Sequence, residues 1–366
     1  MDLFADIPEA DNQTKETILT ATTTQPKLQN TGPSLFDDLP AETTLKIASK
    51  EVTDVLGYIP PKRRKLEEED KVLSRSTQEC LPLKAFVAER KGERNEMQDK
   101  HTLIDDFTQS FLSPTDVSRM AFYGVYDGHA GARASTHASQ NLHLNIISKY
   151  HKAEVSNRDK EIKKCLIESF KKTDDDFLKE ASTHKPVWKD GSTALSILVI
   201  NDILYIANLG DSKAVLCRYN KESDKNMGIS LSKEHSPTLY EERQRIQKAG
   251  GTVRDGRVMG VLEVSRSIGD GRFKHCGVSC IPEIKRCQLT ENDRYIVIAC
   301  DGLWRSFNSE EALQYIDTIL QGESHERTEL KTVEDSKYEM ACNKIANEAV
   351  RRGSADNITV VIIRIG

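Results

Sequence analysis

The sequence predicts an α+β fold of antiparallel β-sheets with helices packed on their outer faces. Strand-like runs rich in Val, Ile and Tyr occur at residues 83–89, 119–126, 194–200, 203–208, 214–218, 295–300 and 358–365. Those within residues 194–218 follow one another through links too short for the helical crossover that parallel pairing requires. Helical patterns fill several of the longer gaps, so strands and helices segregate rather than alternate.

Each helical stretch has its own signal. In residues 160–179, Ile162, Cys165, Leu166, Phe170 and Phe177 recur at helical spacing opposite a charged face. Residues 240–249 run into Gly250-Gly251, a helix stop. Asp255-Gly256, between Val253 and Val258, reads as a tight hairpin turn. Residues 336–352 set Tyr338, Cys342, Ile345 and Ala349 on one stripe and stop at Gly353.

The chain has 366 residues, enough for one large core or two medium ones. Residues 1–79 hold 10 Lys/Arg against 15 Asp/Glu, and the other 287 hold 42 of each, so the whole net charge of −5 belongs to the N-terminal segment. A neutral folded region argues against a nucleic-acid binder that grips phosphate backbones. No apolar run reaches the ~18 residues that span a bilayer, and no signal-peptide pattern opens the chain. The expectation is a protein neither membrane-embedded nor secreted, in the cytoplasm or nucleus, with a monomer as the default. Eight cysteines scattered singly suit reduced thiols. His275, Cys276, Cys280 and Cys287 lie close, but cysteine spacings of four and seven match no strong zinc pattern.

The acidic segment 1–79 reads as disordered, since only Phe4, Phe36 and Tyr58 of the chain's 22 aromatics lie in it. Leu3-Phe4-Ala5-Asp6-Ile7-Pro8 returns as Leu35-Phe36-Asp37-Asp38-Leu39-Pro40. The repeat suggests linear docking motifs for a kinase or scaffold partner; chance similarity in a biased tail is the competing reading. Pro60-Pro61-Lys62-Arg63-Arg64-Lys65 matches a nuclear import address, against the alternative of a solvated charge run. The folded region, 80–366, carries the chemistry.

That chemistry starts with aspartates at the ends of apolar runs. Residues 122–126 lead into Asp127-Gly128-His129, and residues 295–300 into Asp301-Gly302. Asp356-Asn357 precedes the last strand; Asp211 and Asp270 follow Leu209-Gly210 and Ile268-Gly269. A lone Asp-Gly is more often a turn. Several carboxylates converging at strand ends would repel one another unless cations sat between them. A cluster of hard oxygen ligands points to Mg²⁺ or Mn²⁺ rather than zinc. Glycine after each aspartate is expected to let the backbone turn sharply and bring a carbonyl to the metal. The segment 89–101 adds Arg94 and, five residues on, Asp99. Beside such a site, an arginine's planar fork of donors suits phosphate oxygens.

These segments together resemble the metal-dependent serine/threonine protein phosphatases of the 2C type, the PPM family. The matching stretches are 94–101, 125–129, 190–194, 208–214, 263–270, 299–302 and 353–357, in order through nearly all of residues 83–366. The resemblance implies two packed antiparallel sheets, a central β-sandwich, flanked by helices on both sides in four α-β-β-α layers. It implies phosphoprotein substrates and two Mn²⁺ or Mg²⁺ ions. Asp127 would bridge both ions, the Gly128 carbonyl would bind the second, and Asp301 and Asp356 the first. A water between the ions would attack phosphorus directly. Arg94 would hold the phosphoryl oxygens, His129 would protonate the leaving alkoxide and Asp99 would orient the water. Asn357 would support Asp356, while Asp211 and Asp270 fall near a third, weaker metal.

Three residues depart from the family pattern. Gln98 stands where a glutamate is usual, which predicts weaker binding of the second metal. Ala130 replaces a glycine, a small change unless that position needs a positive φ. Arg305 takes the place of an aspartate of the third metal and should disfavour that ion. The residues favour an active phosphatase. The alternatives are a catalytically weak pseudophosphatase acting as a signalling scaffold, and a two-metal nuclease-like enzyme. No Cys-x5-Arg loop and no GxxxxGK[ST] loop are present, which argues against tyrosine-phosphatase and kinase chemistry.

Overall fold

A computed structural model of the chain describes residues 80–106, 117–150, 157–322 and 332–366. The repeated hexads and the Lys62–Lys65 cluster lie outside the described residues. Two five-stranded sheets dominate. One runs, in spatial order, Leu83–Arg90, Ile358–Ile365, Asp293–Ala299, Lys213–Asn220 and Lys225–Ser230. The other runs Glu283–Gln288, Ile203–Leu209, Ala194–Ile200, Met120–Tyr126 and Lys100–Ile104. Every neighbouring pair in both is antiparallel.

Strand alternation builds the layers. Ala121, Tyr123 and Val125 point into the inter-sheet core, where they meet Leu216, Ile296, Ile298 and Val361 of the other sheet. Met120, Phe122 and Tyr126 point the other way and pack against the helices Arg133–Tyr150 and Arg158–Thr183. On the opposite flank, Tyr295, Val297, Ile358 and Val360 pack against Ser309–Gln321 and Val333–Arg351. The result is a four-layer α-β-β-α sandwich. Each large aliphatic side chain buried in this way contributes about 1.5–3 kcal/mol.

The central strands and the helices Arg158–Thr183, Tyr240–Lys248 and Val333–Arg351 lie where the sequence places them. Val253 pairs with Val258 around Asp255 and Gly256, both at positive φ, as a tight hairpin demands. Three elements that the sequence does not announce are edge strands: Lys100–Ile104, Lys225–Ser230 and Glu283–Gln288. Edges face solvent and carry charge, so their apolar signal is weak. The helix Arg133–Tyr150 is also unannounced, being rich in Ser, His and Asn. The helix Ser309–Gln321 is absent from the sequence reading as well, although Asn308 and Glu311 form a reciprocal capping box at its start. All eight cysteines are free thiols. Among the described residues no helix is long and apolar enough to cross a membrane.

Candidate active site

Antiparallel pairing brings the candidate residues to one end of both sheets. Met120–Tyr126 and Ile203–Leu209 run towards that end and release Asp127 and Asp211, while Lys100–Ile104 runs away from it and begins just after Asp99. In the other sheet, Asp293–Ala299 arrives at Asp301 and Ile358–Ile365 departs after Asp356. The Arg94 loop follows Leu83–Arg90 at the same end. Residues separated by more than two hundred positions therefore meet without any long loop.

Asp127, Asp211 and Asp301 place ligand atoms within 4.8 Å of one another, as do Asp99, Asp127 and Cys300. Asp127 belongs to both triads. Burial pushes its carboxyl well above the ordinary aspartate value, and the charges of Asp99, Asp301 and Asp211 add to the effect. Burial likewise raises Asp99 to about 7, reinforced by Asp356 and Asp301, although its bond from Thr359 opposes this. Asp211 is pushed up to about 7 by burial and by Asp301. Asp301 is raised by burial, with Arg305 opposing. Asp99 Oδ2 accepts from Thr359 Oγ1 at 2.8 Å, while its buried Oδ1 has no protein partner.

This donor set fits hard divalent cations. Its oxygens are carboxylate, and the one sulfur is otherwise engaged. Cys300 Sγ accepts the Thr359 N–H at 3.2 Å and donates to the Asn357 carbonyl at 3.4 Å. Burial keeps that thiol protonated, so it is a poor metal ligand. Gly128 and Gly302 both have ordinary negative-side φ, which corrects the expectation of sharp glycine turns. Close approach is the reason for glycine instead. A Cβ on Gly128 would lie 2.3 Å from the Gln98 carbonyl oxygen, and one on Gly302 would lie 2.0 Å from that of Asn357.

The other candidates surround the carboxylates. Arg94, 58% exposed, donates to Asp356 Oδ2 at 2.8 Å. His129 Nε2 lies 2.7 Å from Asp270 Oδ2. Burial alone would lower that imidazole, but the Asp270 charge and hydrogen bond raise it on balance. Asp270 is thus tied to the histidine rather than to the aspartate triads. The Asn357 side chain does not reach Asp356. It pins the Arg94 loop, accepting from Gln98 N at 2.7 Å and donating to the carbonyls of Lys91 and Glu96 at 2.8 and 3.0 Å. Its backbone N–H donates to Asp356 Oδ1 at 2.8 Å. Ala130 has φ 56°, so this position does need the left-handed region, and alanine there is strained by about 1–2 kcal/mol.

Arg305 penetrates the acidic group. It pairs with Asp301 Oδ2, with Glu263 Oε2 at 3.0 Å and, more loosely, with Asp356 Oδ2 at 3.8 Å. Sequence reasoning assigned no role to Thr193, which grips Asp127 from both sides of the peptide. Its N–H donates to the Asp127 carbonyl at 2.9 Å and its Oγ1 accepts the Asp127 N–H at 3.1 Å. The run Gly191-Ser192-Thr193, ahead of an apolar strand, was the available signal.

Comparison with known proteins is consistent throughout. The family described as Protein phosphatase 2C matches residues 84–358. The integrin-linked kinase-associated serine/threonine phosphatase 2C of Bos taurus is 50% identical over 379 residues, covering 100% of each chain. Its Homo sapiens counterpart is 49% identical over 398 residues, again covering 100% of each. Among solved structures, a serine-threonine phosphatase 2C from Toxoplasma gondii superposes with a TM-score of 0.62 at 21% identity, over 78% of this chain and 95% of that one. That likeness is one of fold.

Proposed function

The chain belongs to the protein phosphatase 2C family, and from that premise we propose that it hydrolyses phosphoserine and phosphothreonine in proteins with two Mn²⁺ or Mg²⁺ ions as cofactors. The observation that carries this reading is the meeting of Asp99, Asp127, Asp211 and Asp301 at one end of the sandwich, beside Arg94 and His129. Asp127, Asp301, Asp356 and the Gly128 carbonyl would hold the ions. When bound, the ions supply an acidified water at neutral pH and neutralise phosphoryl charge.

The chain's own groups do the remainder. Arg94 offers a planar pair of donors to the phosphoryl oxygens. Asp99, fixed through Oδ2 by Thr359, keeps Oδ1 as an acceptor for the attacking water. Asp270 holds His129 through Nε2 and favours its protonated form, leaving Nδ1 to protonate the departing alkoxide, a contribution of about 10²–10⁴-fold. His129→Ala is therefore expected to slow phosphopeptide hydrolysis far more than that of p-nitrophenyl phosphate, whose leaving group needs little protonation. Equal losses on both substrates would remove histidine from the acid role.

The decisive assay is turnover of p-nitrophenyl phosphate and a phosphothreonine peptide with Mn²⁺, with EDTA, and in Asp301→Asn. Mn²⁺-dependent turnover lost in the variant supports the reading; turnover that persists in EDTA overturns it. A second reading, a catalytically weak scaffold, is favoured by Arg305 pairing with Asp301 and by the neutral Gln98. Absence of turnover under every metal condition would select it.

For the N-terminal segment we propose partner docking through the two Leu-Phe hexads. The relatives are named for association with integrin-linked kinase, which makes a kinase the first partner to test by co-precipitation with Phe4→Ala and Phe36→Ala. Residence in both cytoplasm and nucleus is proposed from Lys62, Arg63, Arg64 and Lys65, and an alanine variant of the four tests it by imaging.

A further inference from the structure

A cleft of about 510 Å³ opens beside the candidate active site, between the helices Arg133–Tyr150 and Arg158–Thr183 and the loop before Gly191. Its walls are continuous with the loops that carry the chemistry. Gly131, on the cleft, is two residues past His129, so the two Cα atoms are at most about 7 Å apart. Glu96, also on the cleft, is two residues past Arg94, and its carbonyl is held by Asn357. A polypeptide whose phosphoresidue lay between Arg94 and His129, and which ran on past Gly131 and Glu96, would meet this opening.

The lining has an apolar floor and an acidic rim. Trp188, half-buried over the buried Phe177, makes the floor, and it is held by His184 stacked at 3.9 Å and the Arg133 guanidinium at 4.8 Å. Arg133 is half exposed, and its charge is offset by the fully buried Asp190, to whose Oδ1 its Nε donates at 2.8 Å. His137 lies 3.9 Å from Glu180 Oε2, and burial holds its imidazole below the ordinary value, so it does not neutralise that carboxylate near pH 7. Glu96 and Glu180 are both exposed and remain as net negative charge at the rim.

We propose that this cleft is a specificity pocket for a basic side chain of the substrate, within about three residues of the phosphoresidue. The floor takes the aliphatic stem of a lysine or arginine and the two glutamates take its cationic head. An acidic side chain would meet two like charges, beside an arginine whose charge Asp190 offsets. The inference rests on the phosphatase reading above and deepens it.

The test uses the full chain with Mn²⁺ and alanine-flanked phosphothreonine peptides. Each peptide carries a single Arg or a single Glu at one of the positions up to about three residues either side of the phosphothreonine. At one or more positions the ratio of kcat/KM, Arg peptide over Ala peptide, is expected to be about five, a rim ion pair's worth. Glu180→Lys is expected to bring that ratio below one and to favour the Glu peptide at the same position. Glu180 is 54% exposed in the last turn of its helix, where a cation suits the helix dipole, so the fold tolerates the change. A ratio of one throughout, a wild-type preference for Glu peptides, or a ratio that Glu180→Lys leaves unchanged would each overturn the pocket while the phosphatase reading stands. Failure of every peptide and of p-nitrophenyl phosphate would overturn both.

Discussion

Glu242, on the helix Tyr240–Lys248, and Asp99, ahead of the strand Lys100–Ile104, are 3% and 1% exposed, yet their carboxyl groups move in opposite directions. Burial would raise both. Around Glu242, hydrogen bonds from Arg266, Arg245 and Ser265 outweigh it and push the carboxyl well below the usual range. Arg245 and Arg266 each approach Oε1 at 2.7 Å. Asp99 instead faces Asp127, Asp301 and Asp356, and its one strong donor is a neutral hydroxyl. Equal burial with arginines on one side and aspartates on the other separates a carboxylate neutralised by its neighbours from one left facing like charge.

The sharpest way to break this contrast is to remove one charge from each region. Asp127→Asn is expected to cut Mn²⁺-dependent turnover by about 10³-fold. In EDTA the same variant should raise the melting temperature, because a repelled charge has gone. A fall in melting temperature there would mean that the carboxylates are not in conflict. Glu242→Gln should do the opposite. It leaves two arginines short of a counter-charge and costs about 2 kcal/mol, or roughly 4–8 °C, with or without metal.

A pH series separates the regions next. Asp99 and Asp211 have folded values raised to about 7. Their contribution to stability is present below the ordinary aspartate value and is lost as pH rises towards 7. Metal-free protein should therefore melt higher at pH 5.5 than at pH 8. Mn²⁺, which binds the ionised form, should reverse that order. Glu242 has a lowered value, so its contribution is present above the ordinary glutamate value and disappears only as pH falls below it. Calorimetry in EDTA and in Mn²⁺ checks both slopes; parallel slopes in the two conditions would remove the distinction. The smallest expected effect comes from backbone rather than charge. Ala130→Gly should raise the melting temperature by about 2–4 °C, through relief of about 1 kcal/mol at a positive φ, equally with and without metal.

The Ala130 strain shows where reading a sequence stops. That the residue departs from a family pattern is visible in one line; that its φ is 56° is not. Gly128 and Gly302 make the same point in reverse. Their presence was legible, but their reason is the proximity of the Gln98 and Asn357 carbonyls, far away in sequence. Arg305 stood out as an odd residue, yet only the fold sets it across Asp301, Glu263 and Asp356.

By itself the sequence determined the α+β class, the central strands, three of the helices and the aspartates that end those strands. These follow from local rules: apolar periodicity, turn residues, and carboxylates just past an apolar run. The tertiary structure alone decided which sheet each strand joins, and so that Asp99, Asp127, Asp211 and Asp301 share one end of the sandwich. It also decided that Asp270 holds His129 while Glu242 is neutralised by arginines. Such pairings depend on strand order and on distances through space. No window of neighbouring residues contains them, because electrostatic energy follows separation in three dimensions and not along the chain.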